Sequence, residues 1–185
     1  QVAAFKKKKT VDFGDTEEVE IGDYFNFHNH SIYSSLQATT HIKDLIDKAL
    51  KNNFSAVGLV DLGNMMGAFK FVAEVEKANA NIAKNHQLYL ANKKEAEESG
   101  SSFNETEPRK EPLMAVIGCE FYISDRPEQK QFTKDDPDRR TNVVLLAKNF
   151  NGYKNLVKLS SLGFVNGFYF GVPRISRAMI AEYKE

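Results

Sequence analysis

Three short, almost wholly apolar runs constrain the fold of this chain more than any other feature. Phe54 to Val60, Leu113 to Glu120 and Asn142 to Lys148 are each too short for an ordinary helix. They are apolar nearly throughout rather than at every second residue, which suits strands covered on both faces. Between them the spacing changes. Ile42, Leu45, Ile46, Ala49 and Leu50 recur at helical intervals, with Thr39-Thr40 offering a cap, so a helix is expected to about Asn53. Met66, Phe69, Val72 and Ala73 begin a second helix, and Tyr153, Leu156, Val157, Leu159 and Leu162 mark a third. Tyr24 to His30 is an aromatic strand pattern. Strands alternating with helices argue for an α/β fold with a parallel sheet or barrel.

The breaks in this pattern divide the chain. Residues 1–22 read as a charged amino-terminal arm: Lys6 to Lys9, then Asp12, Asp15, Glu17, Glu18 and Glu20. Such an arm reads as a solvated tail with one edge strand. Residues 23–185 form the domain, with a polar stretch at about 79–112 that reads as part helix and part mobile loop. Asp125 to Thr141 is a charged loop. At 185 residues with 42% hydrophobic and 27% charged side chains, the chain is long enough for one domain with a real core. Lys plus Arg equals Asp plus Glu, unlike the basic excess of a free-standing nucleic-acid binder, so any DNA contact needs a local patch or a longer protein. The single cysteine, Cys119, excludes an internal disulfide framework and reads as a buried core residue in a reducing cytoplasm. No stretch approaches a membrane span, and the lysine block at the start is followed by acidic residues, not by the apolar segment of a signal peptide. A chain opening on Gln1 is expected to be a piece of something longer.

Four residues with metal-ligand chemistry fall at the predicted carboxyl ends of three strands: His28, His30, Asp61 and Glu120. In α/β folds functional side chains gather at those ends. His28 and His30 are two apart, so on a strand they point the same way. They could share one metal, serve two, or be surface residues, since His-x-His is a weak signal. Glu120 ends an apolar run, where a carboxylate is paired, protonated or metal-bound. Asp61 reads equally as a ligand, a partner that orients a histidine, or a turn residue before Gly63. A His and carboxylate metal site suits phosphoester hydrolysis, because the ion lowers the pKa of bound water and screens phosphate charge.

Longer strings carry a resemblance. Phe27-His28-Asn29-His30-Ser31 with Tyr33-Ser34, and Val60-Asp61-Leu62-Gly63-Asn64-Met65 with Gly67, are similar to the first two motifs of the PHP (polymerase and histidinol phosphatase) domain. Ile117-Gly118-Cys119-Glu120-Phe121-Tyr122, Leu145 to Asn149, Gly167-Phe168-Tyr169 and Pro173-Arg174-Ile175 resemble the form found in bacterial DNA polymerase III alpha subunits. The resemblance covers residues 24–185. It implies an incomplete, distorted (β/α) barrel at the amino terminus of a replicative polymerase in the bacterial cytoplasm. In family members with a full site the domain binds a metal cluster and removes mispaired 3′ nucleotides. In others it is scaffold and docks a proofreading exonuclease.

Set against that pattern, three ligand positions are altered: Gln37 stands for an aspartate, Leu62 and Asn142 for histidines. The family's last ligands fall beyond Glu185. The resemblance therefore implies a degenerate site with no catalytic residue, holding at most a weak Zn or Mn ion at His28, His30, Asp61 and Glu120. The Mg²⁺ of polymerisation would bind outside this chain. The implied partners are the rest of the polymerase chain, DNA through that chain, and other replisome subunits, with no membrane. Two rival functions stand beside this scaffold. One is an active phosphoesterase or 3′–5′ exonuclease using His28, His30 and Glu120. The other is an interaction module that docks through residues 79–112 or the arm.

Overall fold

A computed structural model describes residues 9–11, 19–21 and 25–184. The arm, expected as a solvated tail with one edge strand, instead contains two among its described residues, and β1 (Lys9–Val11) and β2 (Val19–Ile21) pair antiparallel. The rest of the arm and Tyr24 lie outside the described residues. The main sheet has four strands, β3 (Ala56–Leu62), β4 (Met114–Ile123), β5 (Thr141–Leu146) and β6 (Arg174–Ile175). Strand β4 is central: β3 and β6 run parallel to it, and β5 runs antiparallel. The wholly parallel sheet expected from the strand–helix order is thus interrupted at β5. A parallel return needs a crossover, usually helical, and residues 124–140 supply only loop, so the chain turns back on itself. The sheet is open, and the architecture is mixed α/β.

Helix α1 (Ile42–Lys51) begins two residues beyond the expected Thr39-Thr40 cap. His41 is the N-cap and makes no side-chain cap bond. Ile42, Ile46 and Ala49 form its buried stripe against Val57 and Leu59 of β3 and Phe71 and Val75 of α2 (Ala68–Ser99). Only the first turns of the 32-residue α2 are buried, at Ala68, Phe71 and Val75. The helix then continues to Ser99, so the polar stretch expected at 79–112 is helical over its first two-thirds. Residues 101–112 return irregularly, held by Tyr89 against Phe103 and by a two-way bond between the Asn79 side chain and the Leu113 backbone. A second core packs Leu156 and Leu159 of α3 (Phe150–Val165) on Cys119, Phe121, Ile123 and Ile175. Helix α4 (Arg177–Glu182), capped by Ser176, follows β6.

Side chains alternate across the sheet. Val57, Leu59 and Asp61 of β3 share a face with Cys119, Phe121 and Ile123 of β4, and the helices cover it. The opposite face carries Leu62, Glu120 and Asn142.

Candidate metal centre

The aromatic segment expected as a strand at 24–30 is extended along β3 but forms no regular ladder. The Gly58 N–H donates to the Asn26 carbonyl at 3.1 Å and the Val60 N–H to the Asn29 carbonyl at 2.8 Å. Three steps on one chain therefore oppose two on the other, as in a bulge. Asparagine side chains repair the gap: Asn29 Nδ2 donates to the carbonyls of Asn26 (2.8 Å) and Gly58 (3.0 Å), and Asn26 Oδ1 accepts from the His28 N–H. Local bonds of this kind compete with ladder formation. The backbone of Phe27 crosses so close to Gly58 that a Cβ there would lie 2.2 Å from the Phe27 carbonyl oxygen.

The bulge delivers both imidazoles to Glu120. His28 Nε2 lies 2.8 Å and His30 Nε2 2.9 Å from the same Glu120 Oε2, and the two nitrogens are 3.2 Å apart. Glu120 Oε1 accepts from Asn142 Nδ2 at 2.6 Å. Burial pushes the Glu120 carboxyl up, but the hydrogen bonds from Asn142, His28 and His30 outweigh it and hold the group below its ordinary value. His28, Asn29, His30, Gln37, Ala38 and Thr40 line an open cleft of ≈ 340 Å³ above the cluster.

One ion fits this donor set. The ligand atoms of His28, His30 and Glu120 all lie within 4.8 Å of one another. A tetrahedral zinc with bonds of about 2.0–2.1 Å separates neighbouring ligand atoms by roughly 3.3 Å, close to the spacing present. Two imidazoles and one carboxylate also match the chemistry of zinc and manganese sites.

The structure gathers three of the four candidate ligands and sets the fourth apart. Asp61 precedes Leu62, the register partner of Glu120, so it projects from the other face. There it is 2% exposed. Its Oδ1 accepts from the Ser31 N–H (2.7 Å), Ser31 Oγ (3.0 Å) and Ser34 Oγ (2.7 Å), and its Oδ2 from Ser31 Oγ (2.8 Å). Asp61 thereby ties down the turn that leads from His30 to Gln37. Asn64 does the same, donating from Nδ2 to the Tyr33 carbonyl at 3.0 Å. Gly63, at φ 71, turns its N–H onto the Glu120 carbonyl at 2.7 Å. Gln37, Leu62 and Asn142, where the resemblance expects other ligands, all lie around the cluster. Gln37 is in the cleft, Leu62 sits beside Glu120, and Asn142 bonds it.

Sequence reasoning quoted Arg174 only within the string Pro173-Arg174-Ile175 and gave it no role, although a charged residue between two apolar ones was a signal. It is wholly buried. It clamps the 125–141 loop from beneath the sheet end, 2.8 Å from Asp138 Oδ1.

The profile described as "PHP domain" matches residues 26–185. The chain is similar to the DNA polymerase III subunit alpha of Borreliella burgdorferi, with 32% identity over 165 residues, 88% of this chain and 11% of that protein. It is 33% identical over 161 residues to the subunit of Chlamydia trachomatis, covering 85% of this chain and 10% of that one. The Aquifex aeolicus subunit is 29% identical over 168 residues, covering 88% and 12%. The chain thus spans about a tenth of the length of the curated relatives it matches. Among the described residues, no helix is long and apolar enough to cross a membrane.

Proposed function

Because the chain belongs to the PHP domain family, we propose that it is the amino-terminal domain of a bacterial DNA polymerase III alpha subunit, acting as scaffold around a degenerate metal site. The fold reading that goes with this is an incomplete, distorted (β/α) barrel. The open sheet supports it, because the face bearing Glu120 and the two histidines also leaves Met114 and Leu146 exposed. Nucleotidyl transfer belongs to the rest of the polymerase chain and to Mg²⁺ held there. That chain is the first partner of this domain, and DNA and other replisome subunits are met through it.

The single observation that carries the degenerate reading is Asn142 Nδ2 on Glu120 Oε1. A neutral amide there blocks one carboxylate oxygen and supplies no charge or imidazole. Leu62, beside Glu120, offers no donor atom at all. A bound cation supplies a polarised water and screens phosphate charge, and a pair of cations is needed to serve both attacking and leaving oxygens. His28, His30 and Glu120 would hold at most one such ion. Asp61 positions the turn that runs from His30 to Gln37.

The rival reading, an active phosphoesterase or 3′–5′ exonuclease, is favoured by the intact convergence of His28, His30 and Glu120. The test is hydrolysis of a mispaired primer and of a chromogenic phosphoester with added Mn²⁺ or Zn²⁺, beside elemental analysis. The scaffold reading expects no turnover above background and at most one ion per chain. Two or three stoichiometric ions, or activity abolished by His28→Ala with His30→Ala, would overturn it.

A further inference from the structure

The exposed face of α3 differs in charge and composition from the rest of the surface. Residues 139–181 contain seven Lys or Arg, of which Arg174 is buried, and no Asp or Glu, and α3 itself carries Lys154 and Lys158 with no carboxylate. On α3, Leu156, Leu159, Ser160 and Gly163 turn inward. The outward residues Phe150, Lys154, Val157, Lys158 and Phe164 fall on one side of the helix. Phe150 and Phe164 are 68% and 42% exposed, and neither belongs to a core cluster. Lys154 Nζ sits 4.7 Å from the Phe150 ring centre, and the Phe164 ring stacks on exposed Phe168 at 5.7 Å. Phe170, still more exposed, is held at φ 46, a conformation that strains an aromatic residue.

We propose that this face binds single-stranded nucleic acid, with Phe150, Phe164 and Phe168 stacking on bases and Lys148, Lys154 and Lys158 meeting phosphates. Exposed rings interleaved with cations are what sequence-tolerant single-strand binding uses. The outward lysines of α3, with no carboxylate on the helix itself, favour an anionic partner. A protein helix would need a groove to lie in, whereas this face is the outer surface of one helix, where Phe150 packs beside Tyr153 at 6.1 Å. The inference goes beyond the domain assignment and the metal centre, since none of these residues belongs to the cluster, and its failure leaves both standing.

The experiment is fluorescence anisotropy of a labelled fifteen-residue oligo-dT with the 185-residue chain across a salt series. Binding should fall with salt at a log–log slope of about −2, as expected for two to three phosphate contacts on a single strand. Phe150→Leu and Phe164→Leu keep the apolar surface but remove the ring. Each should weaken binding by roughly 5- to 100-fold, the range for one lost base stack. Lys154→Glu with Lys158→Glu should abolish binding at moderate salt, while Lys94→Glu, on exposed α2, should have little effect. All these positions are solvent-exposed, and circular dichroism checks that each variant is folded. The proposal is overturned if the oligonucleotide does not bind at low salt, or if the leucine variants bind as well as the parent. Equal affinity for duplex of the same length would also overturn it. So would a dimer, seen by sedimentation, that the same variants dissociate, because the face would then join two copies.

Discussion

Replacing Arg174 should cost more stability than any change at the metal cluster. Its side chain is wholly buried, so the guanidinium has no water to fall back on. Nε donates to the Gly167 carbonyl at 3.0 Å, and Nη1 to Asp138 Oδ1 at 2.8 Å. Nη2 donates to the carbonyls of Pro127 (2.8 Å) and Gln129 (2.7 Å). The rings of Tyr169 and Phe132 lie 4.9 and 5.4 Å from its central carbon. Arg174→Ala strands the Pro127 and Gln129 carbonyls, takes one of two cations from Asp138 and leaves a cavity, while the Gly167 carbonyl keeps the residue's backbone N–H at 3.4 Å. Breaking a buried ion pair in this way costs about 3–5 kcal/mol. The low end is expected, because Asp138 keeps Arg140 at 3.6 Å and is slightly exposed. Against a typical total of about 5–15 kcal/mol, that is a large share. For a domain of this size it lowers Tm by roughly 6–12 °C. Arg174→Lys keeps the charge but not the planar fork, and should lose about half as much. Urea unfolding followed by circular dichroism measures both, with an unchanged m-value showing that stability alone has moved. A loss below about 1 kcal/mol for Arg174→Ala, or a lysine variant as stable as the parent, would refute the clamp.

Asp61→Ala should destabilise the chain by about 2–4 kcal/mol, because the buried hydroxyls of Ser31 and Ser34 lose their acceptor; denaturant melts of this variant and of Asp61→Asn, which should lose less, check it. Burial, the Asp61 charge and the Glu120 charge push the Cys119 thiol well above its ordinary value. The reactive thiolate is therefore scarce, and alkylation at pH 8 should wait for unfolding; rapid labelling of the native chain would contradict the packing. Limited proteolysis should cut first within residues 100–112, the irregular return after α2, and not within the buried β3.

Much of the fold was legible because it is local. Almost wholly apolar runs of seven or eight residues placed β3 and β5 to within two residues and β4 to within three, and helical spacing placed α1 and α3. His28, His30 and Glu120 were legible as a group, since strand ends in an α/β fold converge whatever the details of register. The assignment of Asp61 to that group overlooked the two-residue period that puts it across the sheet from Glu120, a point the register Leu62↔Glu120 makes plain. The reach of α2 to Ser99 was hard to read because its outer turns bury almost nothing, and a helix without an apolar stripe looks like a loop in sequence. The bulge at Asn26–Asn29, the Asn142 bond to Glu120 and the clamp around Arg174 join residues 22 to 47 positions apart or depend on strand register. Periodicity determines which way a side chain points from its own strand or helix. Which distant group it meets there is decided only when the strands pair, because a slip of one residue reverses every face while leaving the local pattern unchanged.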